Sequence, residues 1–201
     1  MELTILMPCL NEEKTVKKCI DKAFKFIHEN NIDGEVLIAD NGSALINGIK
    51  EAKGKYVIMC DSDDSYDLDN LMIFLEKLHE NYDIVMGNRY KGGFEKDSIS
   101  FSHYYGVKFL TFLGNFLYHT KLGDYHCGLR GFNRNKINKL NLECSGMDFA
   151  SEIILKCKKA NYKIVEVPTR LFKDGRGHKS HLNTIRDGFR HVVCLFKYKI
   201  K

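Results

Sequence analysis

The chain has 201 residues, of which 44% are apolar and 28% charged, and a formal net charge of +5; such a composition suits one soluble globular domain with a substantial core. Seven cysteines (Cys9, Cys19, Cys60, Cys127, Cys144, Cys157 and Cys194) form neither the paired CxxC of a zinc site nor a small secreted framework, which points to a reducing, cytosolic setting. Met1 is not followed by a signal segment, and the longest apolar stretch, residues 109–118, is too short and interrupted to span a bilayer.

In chain order, residues 2–7 predict a first strand, and Pro8-Cys9-Leu10-Asn11-Glu12-Glu13 a loop into a helix with Asn11 as its cap. Val16, Cys19, Ile20, Ala23, Phe24 and Ile27 then recur at helical spacing and make one apolar stripe for packing on a sheet. Residues 35–39 predict a second strand closing on the turn-forming Asp40-Asn41-Gly42-Ser43, which puts an acid at a strand's carboxyl end. Residues 44–53 read as a short helical crossover.

Tyr56-Val57-Ile58-Met59-Cys60 is an apolar run of the kind that forms a buried strand, and Asp61-Ser62-Asp63-Asp64-Ser65 follows directly. Asp61 and Asp63 therefore emerge at the carboxyl end of that strand, where open α/β sheets bind ligands. Two carboxylates held so close resist joint ionisation unless a cation lies between them, and a hard, oxygen-preferring Mg²⁺ or Mn²⁺ fits, holding a diphosphate. Aspartates also cap helices and populate turns, so the motif gains its meaning from context.

A helix over residues 69–80 and a strand over residues 83–87, leading into Asn88-Arg89-Tyr90, continue the alternation; a parallel, doubly wound sheet is the expected architecture. Residues 101–118 carry a dense aromatic band, for which a place in the core is the first expectation. Asp124, His126 and Cys127 lie close together, but no fourth ligand is spaced for zinc. A helix over residues 148–160 and a strand over residues 163–167 follow.

Charge is uneven. From Arg170 onward nine Lys/Arg face only Asp174 and Asp187, giving +7 there and −2 elsewhere. Residues 182–199 read as a basic amphipathic helix with Ile185, Phe189, Val192, Val193 and Phe196 on the apolar side, which suits a membrane interface. Its aromatics sit at amphipathic spacing and not as a base-stacking platform, so nucleic acid is not the expected partner. No repeat, low-complexity tract or linker marks a boundary, so a single domain over residues 1–201 is expected.

Six sequence words, in order, carry a family resemblance: Met7-Pro8-Cys9-Leu10-Asn11-Glu12-Glu13, Ile38-Ala39-Asp40-Asn41-Gly42-Ser43, Asp61-Ser62-Asp63-Asp64-Ser65, Gly87-Asn88-Arg89, Cys127-Gly128-Leu129-Arg130-Gly131-Phe132 and Gly146-Met147-Asp148-Phe149-Ala150-Ser151-Glu152. Together they resemble the family-2 glycosyltransferases of GT-A fold, in particular the dolichyl- and polyprenyl-phosphate sugar transferases. The resemblance implies a Rossmann-like, mostly parallel α/β sheet flanked by helices, with a nucleotide-binding half (residues 1–90), an acceptor-side half (91–180) and a terminal amphipathic helix (181–201). It implies a UDP- or GDP-sugar in a pocket formed by Pro8, Leu10, Asn11, Glu12, Asp40, Asn41, Gly42, Asp61, Ser62 and Asp63, with Mg²⁺ or Mn²⁺ on Asp61, Asp63 and Ser65. Arg89 and Arg130 become phosphate clamps, although a salt bridge is the other reading of Arg89. Asp174-Gly175-Arg176-Gly177-His178-Lys179-Ser180 resembles a closing basic loop, with Arg176 and Lys179 carrying the charge. The aromatic band and terminal helix become interfacial elements facing lipid.

The implied reaction is inverting transfer from the nucleotide sugar to a polyprenyl phosphate at the cytoplasmic membrane face, with Asp63, Arg130 and Asp148 in catalytic roles. Asp148 is the base if the acceptor is a hydroxyl; helix capping by Asp148, with Glu152 facing solvent, is the other reading. The chain departs from the family after Ser43, where a further strand-helix unit is usual; its loss removes one pocket wall and leaves a sheet edge uncovered. A degenerate member that binds a membrane or partner without catalysis is thus the alternative. A nucleotidyltransferase lacks support, since no glycine-rich, basic phosphate loop opens the chain, and homo-oligomerisation is left open.

Overall fold

The computed structural model describes residues 1–39, 44–144, 146–175 and 184–200. Six strands, β1 (Leu3–Pro8), β2 (Gly34–Ala39), β3 (Tyr56–Met59), β4 (Ile84–Asn88), β5 (Arg130–Asn133) and β6 (Ile164–Pro168), form one sheet in the order β2-β1-β3-β5-β4-β6. Pairs β1/β2, β1/β3 and β4/β6 are parallel, whereas β5 runs antiparallel to both of its neighbours. The expected parallel strands and crossovers are present, but the sheet is mixed.

The sequence reading misses β5 for a physical reason: Arg130-Gly131-Phe132-Asn133 has one large apolar residue and neither a β-branched run nor alternation. Its stability as a strand comes from ladders on both sides, with Gly131 opposite Ile58 and Val85 and Phe132 opposite Val57 and Ile84. At the other extreme, β3 is buried at every position, as its apolar run predicts. β2 stands at the sheet edge, half-buried along its length, and the short helix α2 (Ala44–Glu51) is the next described element.

Helices cover both faces of the sheet. One apolar cluster joins α1 (Val16–Glu29) and α3 (Met72–His79) to the sheet through residues such as Cys19, Phe26, Phe74 and Leu78. The other lies beneath α2, α6 (Arg134–Asn138), α7 (Phe149–Lys159) and α8 (Thr184–Ile200), around Ile49, Ile137, Ile153 and Leu195. In α1 the buried stripe is Cys19, Ala23, Phe26 and Ile27; Phe24, expected inside, is exposed, because Phe26 takes the core-facing place next to Ile27. The helix starts after Thr15, so Asn11 does not cap it. A single-turn helix, α4 (Arg89–Gly92), follows β4.

The long helix α5 (Phe101–Tyr118) overturns the expectation that its aromatics are core. Val107, Leu110, Thr111, Gly114 and Tyr118 are buried, while Phe101, Tyr105, Phe109, Phe112 and Phe116 are exposed. Those five recur at steps of three and four and share one face. On α8, Phe189, Val193 and Phe196 are likewise exposed at helical spacing. The two helices are tied by the Tyr118 hydroxyl, which donates to the Leu195 carbonyl at 2.7 Å, and by Lys199 Nζ, which donates to the Leu117 carbonyl at 2.7 Å. No described helix is long and apolar enough to cross a membrane.

Candidate functional site

β1, β2 and β3 are parallel and in register, so they end together: Pro8 lies opposite Ala39, and Leu6 opposite Met59. Because β5 runs the other way, Arg130 lies opposite both Met59 and Met86, and the loop leading into β5 arrives at the same end of the sheet. The sequence words that lie far apart in the chain are therefore neighbours in space. Of the expected nucleotide-pocket residues, Asp40, Asn41 and Gly42 lie outside the described residues.

The acidic loop is held from several directions. Cys60 N–H extends the ladder to the Leu6 carbonyl at 3.0 Å, and the Ser62 hydroxyl donates to the Pro8 carbonyl at 2.8 Å. Asp63 is buried, and its Oδ1 accepts from the Ser65 backbone N–H at 3.0 Å and from the Ser65 hydroxyl at 2.5 Å. Ser65, expected among the metal ligands, here donates a hydrogen bond from its hydroxyl to the neighbouring carboxylate. A Cβ at Gly128 would fall 2.2 Å from Asp61 Oδ2, so the loop before β5 lies close against that carboxylate, and a larger residue would require the Asp61 side chain to shift. The Gly128 N–H in turn donates to the Tyr66 hydroxyl at 2.9 Å, and burial raises that phenol's pKa well above its usual value.

Asp64, the third acid of the loop, has φ of 63°, a left-handed conformation that aspartate tolerates better than most residues. Its carboxylate meets Lys18 Nζ at 2.5 Å and Lys22 Nζ at 2.6 Å, both from α1. Burial by itself raises the Asp64 carboxyl; the bonds from Lys18 and Lys22 outweigh it and hold the group below its ordinary range. On the far side, Phe172 N–H donates to the Ser65 carbonyl and Gly175 N–H to the Asp63 carbonyl, each at 2.9 Å. The chain entering the basic segment is thus tied to the acidic loop, while Arg176 and Lys179 themselves lie outside the described residues.

Among the described residues no group of three or more His, Cys, Asp or Glu is arranged to enclose a metal ion. Two carboxylates on one strand-end loop do suit a hard cation that takes its remaining oxygens from a diphosphate and water, so Asp61 and Asp63 fit Mg²⁺ or Mn²⁺ in that shared form. At the entrance, Leu10 is 60% exposed, Asn11 is left-handed with φ of 59°, and Glu12 is buried, accepting from the Thr15 hydroxyl at 3.4 Å.

Neither arginine expected as a phosphate clamp has an open fork. Arg89 is buried and bidentate to Asp124, Nε to Oδ2 at 2.7 Å and Nη2 to Oδ1 at 3.0 Å, so the salt-bridge reading describes it, although the pair is interior and not on the surface. Arg130 is 1% exposed and donates to the carbonyls of Cys127, Ala150 and Tyr125 at 2.7, 2.9 and 2.9 Å. Burial lowers its pKa. It binds the loop before β5 to the start of α7, which is a structural task that phosphate binding would interrupt.

Asp148 precedes α7 without a side-chain capping bond; its Oδ1 accepts instead from Arg190 Nη2 on α8 at 3.1 Å. Glu152 does not face solvent. It is fully buried, accepting from the Tyr198 hydroxyl at 2.6 Å, Lys156 Nζ at 2.8 Å and the backbone N–H groups of Glu143 and Cys144. Burial pushes the Glu152 carboxyl up, and these bonds, Lys156 first, bring it below its usual value. Between the Asp148 loop and α8 runs a groove of about 360 Å³, lined by Asp148, Phe189, Arg190, Val193 and Lys197 among others.

Sequence reasoning also missed a histidine pair, His191 buried and His126 half-buried. His191 Nδ1 lies 2.9 Å from the Ser151 hydroxyl and 3.3 Å from His126 Nε2, so the loop before β5, α7 and α8 meet at one point. Burial lowers both imidazoles, His191 to about 4 and His126 well below the ordinary value, with Arg130 adding repulsion at each. The i,i+4 spacing of Lys18 and Lys22 and the glycine of Cys127-Gly128-Leu129 are signals that the sequence carries for the other contacts, whereas the histidines lie far apart in the chain.

Residues 42–140 match the model of glycosyl transferase family 2. The chain is 28% identical to the low-salt glycan biosynthesis hexosyltransferase Agl6 of Haloferax volcanii, over 94% of this chain and 52% of that protein. It is 27% identical to the dolichol-phosphate mannosyltransferase of Pyrococcus furiosus, over 78% of this chain and 45% of that protein. The chain thus spans about half the length of these two relatives. Its fold is that of glucosyl-3-phosphoglycerate synthase from Mycobacterium tuberculosis, solved in complex with Mn²⁺, UDP and phosphoglyceric acid, with a TM-score of 0.73 at 13% identity over 98% of this chain and 78% of the other. The chain carries a glycosyl transferase family 2 domain over residues 42–140, within a six-stranded mixed sheet of GT-A type flanked by helices.

Asp124→Asn removes the charge that neutralises buried Arg89; a loss of about 3 to 5 kcal/mol in stability is expected, read by urea denaturation, and an unchanged midpoint contradicts the interior pairing. The histidine pair makes stability pH-dependent. Both imidazoles are neutral in the fold, so below about pH 6.5 the unfolded chain takes up protons first; the stability present above that pH is lost as pH falls toward about 4. For His191 alone the loss is on the order of 3 kcal/mol across that window. Thermal melts from pH 7 to 4.5 should show a shallower decline for His191→Gln than for the native chain, and parallel declines would contradict the assignment.

Proposed function

We propose that the chain is the catalytic domain of a metal-dependent, inverting glycosyltransferase that moves a hexose from a UDP- or GDP-sugar to a polyprenyl phosphate presented at a membrane surface. The observation that carries the reading is the Asp61 and Asp63 pair at the carboxyl end of β3, with Gly128 packed against Asp61, in a family-2 chain. Related folds solved with Mn²⁺ or Mg²⁺ and UDP support a cation and a nucleotide here.

In this mechanism the strand-end acids receive the donor diphosphate together with the cation. A bound Mg²⁺ or Mn²⁺ supplies positive charge against the diphosphate as it leaves. The acceptor phosphate oxygen forms its bond to the anomeric carbon on the face opposite the breaking bond to the diphosphate, which inverts the configuration. Near neutral pH a lipid phosphate is largely dianionic, its second pKa being about 6, so it attacks without a base. Asp148, bonded to Arg190, serves as base for a hydroxyl acceptor, the class to which the phosphoglyceric acid of the structural relative belongs.

The lipid acceptor is favoured by the outer face of α5 and α8. Phe101, Phe109, Phe112, Phe116 and Phe189 are each more than 60% exposed, a larger apolar display than a soluble surface normally carries. Arg186, Arg190, Lys197 and Lys199 accompany it on α8, the combination that suits an anionic interface. The groove beside Asp148 has apolar walls from Phe189 and Val193, with Arg190 and Lys197 beside the carboxylates of Asp148 and Glu143, a lining that an amphiphile entering from that face would meet.

The engaged forks of Arg89 and Arg130 favour a second reading, a family member that binds nucleotide or membrane without catalysis. The two readings part in one assay. A panel of labelled UDP- and GDP-sugars with Mn²⁺ is offered polyprenyl phosphate in anionic vesicles or a water-soluble phosphorylated hydroxy acid. Lipid-phase label is expected, reduced roughly a hundred-fold or more in Asp63→Ala. Label only in the aqueous product moves the acceptor to the soluble class; no transfer, or transfer unchanged in Asp63→Ala, rejects the metal-dependent reading.

A further inference from the structure

The acidic loop has more negative charge than a cation shared with a diphosphate needs, and the third acid is handled separately. The Asp64 side chain is 14% exposed, its Oδ1 accepting from Lys22 Nζ at 2.6 Å and its Oδ2 from Lys18 Nζ at 2.5 Å. The lysines are four residues apart and so lie on one face of α1. That helix is anchored in the core by Cys19, Ala23, Phe26 and Ile27, which makes it a rigid support for the loop.

We infer that Lys18 and Lys22 form, with Asp64, a clamp that positions the Asp61 and Asp63 carboxylates for the cation and donor diphosphate. The inference rests on the reading of that pair as the donor site. Its physical basis is the left-handed backbone of Asp64, φ of 63°. That conformation follows Asp63 directly, and Asp63 offers its carboxylate to Ser65 and its carbonyl to Gly175 N–H. Released from the lysines, Asp64 is free to relax to the commoner right-handed or extended conformation, which turns the peptide between residues 63 and 64 and shifts both of those anchors. Lys18 and Lys22 do not touch the reacting atoms; they are positioning residues.

The alternative, that the lysines merely add positive field, predicts the opposite sign. Two cations beside an acidic pair weaken cation binding by repulsion, so their removal should tighten it. Removal of a clamp should loosen it. The sign of one measured change therefore separates the two.

The experiment is a Mn²⁺ titration of the full chain followed by electron paramagnetic resonance of the free ion, with UDP or GDP present, alongside far-ultraviolet melting curves. Lys18→Met/Lys22→Met and Asp64→Asn are each expected to weaken Mn²⁺ binding by about 10-fold to 100-fold, as loss of a group that orients a metal ligand does. Combining the three substitutions should weaken it no further, because they remove one unit. Lys18→Arg/Lys22→Arg should recover most of the affinity. Native or tighter binding by the double lysine variant overturns the clamp. If Asp64→Asn fails to fold, the lysine variants, altered at one exposed and one half-buried position, decide the matter alone. Absence of Mn²⁺ binding by the native chain with either nucleotide defeats the donor-site reading itself and the clamp with it; binding that the variants leave unchanged defeats only the clamp.

Discussion

The antiparallel insertion of β5 between β3 and β4 is the constraint on which the rest of the site depends. A fourth parallel strand there would have delivered its preceding loop to the opposite end of the sheet. Running backward, β5 brings residues 124–129 to the carboxyl ends of β3 and β4, where Gly128 meets Asp61 and Asp124 meets Arg89. Backbone ladders on both sides hold this arrangement, so it does not rely on the strand's own modest apolar content.

Around that seam, buried charge works mainly as fastening. Asp124 holds Arg89, Arg130 gathers three carbonyls from the loop and α7, and Glu152 joins Lys156, Tyr198 and two backbone N–H groups across α7 and α8. Each such group is costly to bury alone and is therefore fully bonded. The consequence is a division of roles among cations: those inside the fold orient loops, and those on α8 (Arg186, Arg190 and Lys197) sit in more exposed pairs with Asp187, Asp148 and Glu143.

The packing of α5 against α8 has a similar logic. Each helix uses one face on the core and leaves a phenylalanine-bearing face outward, and the bonds from Tyr118 and Lys199 fix the two together. Such a surface is unfavourable in water, and its retention beside basic residues is physically reasonable where an amphiphilic acceptor must be met.

Much of the chain could be read before its structure was known, where the signal was local. The apolar runs of β1, β2, β3 and β4, the crossover helices and the acidic loop follow from residue spacing and from turn-forming residues, and the ordered words pointed to the family. Signals that depend on surroundings misled. The aromatics of α5 have helical spacing on both faces, so periodicity could not say which half was core, and an arginine in a motif looks the same whether its fork is open or filled. Strand β5 carries no pattern of its own, being defined by its neighbours' ladders. By itself the sequence determined the strands β1 to β4 and β6, the longer helices, and that two acids terminate a buried strand, because those follow from side-chain polarity along the chain. Only the tertiary structure decided the direction of β5, the engagement of Arg89, Arg130 and Asp64, and the outward face of α5, because each is set by groups distant in sequence that compete for the same burial and hydrogen bonds.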